Sequence, residues 1–120
     1  MNERFGHREH LYLAWSAVRF HGPEEAGDHV VSFIKDVAAQ HGAPQLYNET
    51  MTRFWVWAVA TAIEIGERGD DFDALLEEHP QLTDKRLPWR HWSDELLRSA
   101  RAKARWVDPD LEPLPVTPRA

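Results

Sequence analysis

Apolar residues recur every three or four positions through the first third of the chain, which is the spacing of an amphipathic helix. The pattern predicts a first helix over 8–21 and a second helix that begins at Pro23, because proline suits the first turn of a helix. Gly22 stands between them, where a left-handed helix cap fits. The predicted apolar face of the second helix consists of Ala26, Val30, Phe33, Ile34, Val37 and His41.

A third helix over 50–66 carries apolar side chains on every side, which predicts a position at the centre of the fold. Its most apolar stretch, 54–63, is ten residues long. About 20 apolar residues are needed to cross a bilayer, so this stretch indicates a buried helix and no membrane partner.

The second half of the chain shows shorter elements. Asp71 suits the N-cap of a short helix that ends before Pro80, and the mixed signals over 82–92 indicate a connector. Ser93 suits the N-cap of a further helix, which we expect to continue without a break to about residue 105.

Four prolines between positions 109 and 118 exclude a helix at the end of the chain. We therefore expect an extended tail over 107–120 that straps onto the bundle through Val107, Leu111 and Leu114. No segment has the two-residue period of a strand. The predicted fold class is all-α, a single domain over 1–120 with five or six helices and an N-terminal arm at 1–6.

Composition narrows the function. The formal net charge is −6 with a pI near 5.6, so no basic face is expected and nucleic acid is excluded as the predicted partner. The chain has no cysteine, which excludes disulfides and thiolate metal sites. The charged start, without an apolar leader, predicts a cytoplasmic protein.

A polar cluster at two predicted helix starts is the main candidate for chemistry. His7 and His10 are three positions apart, so both imidazoles can approach one ion from the same side of the first helix. Glu49, at the head of the third helix, is the predicted third ligand of one divalent metal ion, as in bundles with metal centres between facing helices. Without a metal, the same three residues are candidates for catalytic acid and base.

Three neighbours complete this candidate pocket. Asn48 and Thr52 would orient a small-molecule ligand and Trp55 would form an apolar wall. The alternative is structural, because these residue types also suit a helix start and a core. Arg53 would neutralise either an anionic ligand or a buried carboxylate, and both options stay open.

Five further histidines are scattered along the chain. We expect most of them at helix ends or on exposed faces, where they add positive charge below about pH 6.5 and affect solubility first. They are His21, His29, His41, His79 and His91.

Several short patterns together resemble a family of small, uncharacterised bacterial helical proteins. The patterns are F-x-H-x-E-H-L over 5–11, Y-x-E-T-x-T over 47–52, S-x-E-L-L over 93–97 and P-D-L-x-P-L-P over 109–115. The family has no established activity, so the resemblance implies the all-α fold and the position of the polar cluster alone. The family pattern often has His after the Tyr, whereas this chain has Asn48, whose amide oxygen is a poorer ligand for a borderline-soft ion.

Two classes of function therefore compete. The first is metal-assisted or acid–base chemistry on a small molecule, in a pocket between the first and third helices. The second is a non-catalytic module that binds a ligand or a protein, with the aromatic helix and the proline-rich tail forming a docking surface or a homodimer interface.

Overall fold

The computed structural model describes residues 6–115, and this part of the chain is all-α, without strands. Three one-turn 3₁₀ helices, Pro44–Leu46, Pro80–Thr83 and Leu87–Arg90, lie in the connections. The six α-helices of the described range are α1 (His7–His21), α2 (Pro23–Gln40), α3 (Glu49–Ile65), α4 (Phe72–Glu78), α5 (Asp94–Leu97) and α6 (Ala100–Ala104). The predicted fold class is confirmed.

The helices α1 and α2 form a tight hairpin against α3. Gly22 joins them with a φ of 89°, a left-handed conformation that favours glycine, and its amide donates to the Val18 carbonyl at 2.9 Å. Pro23 begins α2 at once, as predicted. The central position predicted for α3 is also confirmed, because Phe54 and Val59 on this helix are fully buried. Within 6–115, no helix is long and apolar enough to cross a membrane.

Two residues of the predicted core face of α2 lie outside the core. Phe33 is 47% exposed and His41, just after the helix, is also exposed, whereas the buried residues of α2 are Ala26, Val30 and Val31. Because α2 packs against both α1 and α3, its buried arc extends to Val31, and Phe33 falls at the opposite edge of that arc.

The single helix predicted after Ser93 is in fact two short helices. Ser93 caps α5 as expected, but a second serine, Ser99, ends that helix and begins α6. The Ser99 hydroxyl donates to the Leu96 carbonyl at 2.6 Å and accepts from the Ala102 amide at 3.1 Å. A serine side chain that hydrogen-bonds to nearby backbone groups competes with the backbone hydrogen bonds of a helix. Here the Ser99 cap interrupts the helix.

The tail runs without helix or strand as far as residue 115, and two of its three predicted anchors are in place. Val107 is buried and Leu114 packs against the core, but Leu111 is 58% exposed. The backbone of Leu111 makes the attachment instead, since its amide donates to the His91 carbonyl at 2.9 Å. Most of the predicted arm at 1–6 and the end of the tail at 116–120 lie outside the described residues.

Thr50 joins the C-terminal segment to α3. Its side chain is fully buried, with the hydroxyl 2.9 Å from the Ala102 carbonyl oxygen and 3.0 Å from that of Arg105. The same oxygen accepts from the Val107 amide at 3.3 Å. One hydroxyl therefore satisfies buried backbone groups just where α6 ends and the tail begins.

We predict that Thr50→Val, which keeps the shape of the side chain, lowers the free energy of unfolding by about 2 kcal/mol, because buried backbone groups lose their partner. Urea unfolding followed by circular dichroism measures it. The matched control is Thr52→Val on the same helix, whose hydroxyl donates to the Asn48 carbonyl within the first turn of that helix. Equal effects of the two substitutions would contradict the role of Thr50.

Candidate functional site

Glu49, the predicted third ligand, lies in the first turn of α3 and is nearly buried. Both of its carboxylate oxygens have protein partners. The Tyr47 hydroxyl donates to Oε1 at 2.8 Å and Arg53 Nε donates to Oε2 at 2.6 Å. The Lys35 ammonium lies 3.9 Å from Oε1. Protein cations therefore balance the charge of this carboxylate, which is the condition for burying it.

Arg53 extends this group of charges to α2. Its Nη2 lies 3.1 Å from the Asp28 carboxylate, and Gly27 leaves room for it, since a Cβ on Gly27 would be 2.9 Å from Arg53 Nη1. Burial, with the hydrogen bond to Glu49, raises the pKa of the Tyr47 phenol, so it remains a neutral donor. Of the two options left open by the sequence, Arg53 takes the role of partner to a buried carboxylate.

His7 does approach α3, but its contacts there are of a different kind. Its ring meets the nearly buried Trp55 ring edge-on at 4.5 Å between centroids. Its Nε2 lies 2.8 Å from the Leu82 carbonyl oxygen. Because a carbonyl oxygen only accepts, Nε2 carries the proton of this hydrogen bond. His7 and Trp55 therefore meet in a packing contact that fixes the start of α1.

His10 lies one turn further along α1 and is half-buried. Its Nδ1 donates to the Gly6 carbonyl at 2.8 Å. Burial lowers the pKa of His10 by more than this hydrogen bond raises it. The adjacent helix N-terminus also disfavours a positive charge. Both effects favour the neutral form of His10.

Asn48 and Thr52, the predicted ligand-orienting residues, make the contacts of a helix start. Asn48 Oδ1 accepts from the Met51 amide at 3.0 Å, while its Nδ2 donates to the Leu97 carbonyl at 2.8 Å. Thr52 donates to the Asn48 carbonyl at 2.8 Å. The structural alternative accounts for each of these bonds.

The predicted metal ligands are not brought together. Within residues 6–115, no group of three or more His, Cys, Asp or Glu side chains is arranged to hold a metal ion. His7 and His10 each direct one ring nitrogen to a backbone carbonyl, and the Glu49 carboxylate is bound by Tyr47 and Arg53. The carboxylate on α3 is committed to other partners.

A different feature, which we term the aromatic groove, lies on the outer side of α1. It has a volume of about 570 Å³, and its floor and rims combine aromatic and charged side chains. The groove residues are Arg8, Glu9, Tyr12, Leu13 and Ser16 of α1, Phe33 of α2, and Asp71, Phe72 and Asp73 at the start of α4.

Ring contacts set the shape of the groove. Phe72 meets Tyr12 edge-on at 5.2 Å and Trp15 at 5.7 Å between centroids. Arg8 lies over the Phe72 ring, 5.0 Å from its centroid, and forms an ion pair with Asp73. These contacts hold the start of α4 against α1, so the groove is formed before any partner binds.

The groove exposes aromatic surface that the core does not use. Tyr12 is 52% exposed and Phe33 is 47% exposed. The sequence did carry one signal, since Leu11, Tyr12 and Leu13 are consecutive and a helix cannot direct three adjacent side chains into one core. No comparable pattern in the sequence indicated that Phe33 would be exposed in the groove.

Comparison with known proteins adds no family. No family model matches the chain, and no curated protein or solved structure matches it either. The resemblance to small bacterial helical proteins therefore stays a prediction from the sequence patterns.

We predict that Glu49→Gln lowers the free energy of unfolding by about 2 kcal/mol, because an amide cannot pair with the largely buried Arg53 guanidinium. Urea unfolding measures the change. Glu95→Gln is the matched control, since Glu95 is exposed and forms no ion pair within the described residues. A Glu49→Gln protein as stable as the control would show that the pairing contributes nothing.

His10 also gives stability a pH dependence of defined sign. Its folded-state pKa is below the ordinary value of 6.5, so the unfolded chain binds more protons just below that pH. The stabilisation is present above pH 6.5 and is lost as the pH falls through the folded-state pKa. Unfolding in urea between about pH 5 and 8 measures it.

In that pH series, we expect His10→Gln to flatten part of the fall in stability on the acid side. His41→Gln, at an exposed position just after α2, should leave the fall unchanged. An identical pH profile in His10→Gln and the parent protein would assign the fall to another group.

Proposed function

We propose that this protein is a non-catalytic interaction module that binds a basic amphipathic helix of a partner protein in the aromatic groove. The observation that carries the proposal is the exposure of Tyr12 and Phe33 on either side of a preformed groove. Large exposed apolar patches on soluble proteins mark interaction sites, and aromatic residues are enriched at the centres of interfaces.

The shape of the site supports a helical partner. The groove follows α1 over more than two turns, from Arg8 to Ser16. A partner helix can lay an apolar stripe of residues spaced three and four apart along such a surface, with Tyr12 and Phe33 as the contacts at either side.

The charges of the groove favour a basic partner. Glu9, Asp71 and Asp73 supply three carboxylates, and Arg8 is the single cation among the groove residues. Glu9 and Asp71 accept hydrogen bonds from backbone amides, which fix the positions of the two carboxylates. Lysine or arginine residues that flank the apolar stripe of the partner would meet this rim.

The same charges disfavour a second copy of the chain as the occupant. Each copy carries a formal net charge of −6, so two copies repel each other at long range. The homodimer predicted as an alternative from the sequence is therefore the weaker candidate for this groove.

Enzymatic chemistry at His7, His10 and Glu49 has less support, because the Glu49 carboxylate and one nitrogen of each imidazole are engaged by protein groups. A metal ion, a cytoplasmic location and a bacterial origin stay predictions from the sequence. Elemental analysis of untagged protein, with His10→Ala for comparison, measures the metal directly.

The probe for the groove is a fluorescent peptide of about 18 residues, which is long enough for five helical turns. Its leucines are spaced three and four positions apart, so that they form one face of the helix, and its lysines flank that face. We expect Ser16→Arg to weaken its binding at least about tenfold, because the new side chain fills the groove and repels lysine. Fluorescence anisotropy measures the dissociation constant, and circular dichroism verifies the fold.

The matched control is Ser32→Arg, which makes the same change at an exposed position of α2 outside the groove. A peptide with glutamate in place of lysine should bind more weakly to the parent protein. Equal weakening by both serine substitutions would refute the groove as the site. A dimer seen by light scattering that Ser16→Arg dissociates would assign the groove to a second copy.

A further inference from the structure

We propose that a second site, the cavity between α3 and the C-terminal tail, binds a small aromatic carboxylate. The cavity has a volume of about 270 Å³ and lies apart from the aromatic groove, with no residue in common. Its walls come from the second half of α3, from the two 3₁₀ helices at 80–83 and 87–90, and from the tail near residue 113.

The walls suit a flat apolar ring. Trp57 on α3 and Pro113 on the tail both line the cavity, together with other apolar side chains. The volume is just below the usual range of about 300–1,000 Å³ for ligand pockets, so the cavity suits a ligand of one ring and a short substituent.

One polar group at the cavity can hold an anion. Arg90 lines it from an exposed position, and the Arg90 guanidinium forms no ion pair or hydrogen bond with the described residues. Glu112 is the single acidic residue among the lining residues, and it forms no ion pair with Arg90. An unpaired guanidinium can hold a carboxylate through two parallel hydrogen bonds.

Two imidazoles line the cavity, and His91 adds a polar contact. His91 is nearly buried and its Nδ1 donates to the Glu112 carbonyl at 2.8 Å, so its Nδ1 position carries a proton and its Nε2 is left for other contacts. The Nε2 of His79 is buried and lies 3.3 Å from a Glu78 carboxylate oxygen, so this nitrogen already faces a protein anion.

Hydrogen bonds outside the cavity fix the position of the tail segment that lines it. The Asp110 carboxylate accepts from the Ser93 amide at 2.8 Å and from the Ser93 hydroxyl at 2.6 Å. Together with the bond from Leu111 to the His91 carbonyl, this keeps Pro113 over the cavity. The site is therefore formed by packing between distant parts of the chain.

Benzoate is the probe, and benzyl alcohol is its uncharged analogue. In a nuclear magnetic resonance titration of the full chain, we expect benzoate to shift the Trp57 indole N–H with a dissociation constant of about 1 mM or tighter. Arg90→Gln should weaken benzoate binding at least about tenfold, because the paired hydrogen bonds of the guanidinium are lost. The alcohol should bind the parent protein no better than benzoate binds Arg90→Gln.

Arg101→Gln is the matched control, since it removes the same charge from an exposed position of α6 outside the cavity. It should leave benzoate binding unchanged. The proposal is overturned if Trp57 does not respond at 10 times the expected dissociation constant, if the alcohol binds as tightly as benzoate, or if both arginine variants weaken binding equally. Peptide binding in the aromatic groove is measured separately, so either proposal can fail alone.

Discussion

A central helix that is apolar on every side must be enclosed on every side, and the rest of this structure depends on that requirement. The hairpin of α1 and α2 covers part of α3 with regular helices. The remainder is covered by short helices and an extended tail, whose backbone groups cannot all satisfy one another. Buried side chains supply the missing partners: the Thr50 hydroxyl bonds the end of α6, and the Trp92 indole donates to the Val107 carbonyl at 3.0 Å.

The requirement that buried polar groups have partners also explains the polar residues at the start of α3. A carboxylate beside a core must be neutralised by nearby cations, and Glu49 meets Arg53 from its own helix and Lys35 from α2. In the sequence, residues of this kind resemble a catalytic set. The residue types that act as catalytic acids, bases or metal ligands are also the ones that pair with buried charges. Their partners distinguish the two roles.

The two proposed sites differ in the polar groups that line them. The aromatic groove combines exposed rings with carboxylates, while the cavity beneath the tail combines buried rings with Arg90 and imidazoles. In a chain of net charge −6, the carboxylates of the groove follow the overall balance, whereas Arg90 and Glu112 balance each other at the cavity.

The helices and most of their caps were predictable from the sequence, because hydrophobic period and capping residues act within a few positions of one another. The helix break at Ser99 was not predicted. A serine within a helical pattern can either face solvent or cap a new helix through its hydroxyl, and tertiary packing selects between the two. Trp92, in a stretch that the sequence indicated as a connector, became one of the largest fully buried side chains. The sequence by itself determined an all-α chain with a central third helix. The tertiary structure decided which polar groups pair, as His91 with the tail and Thr50 with α6, because such pairs join residues far apart in sequence whose distance depends on how the helices pack.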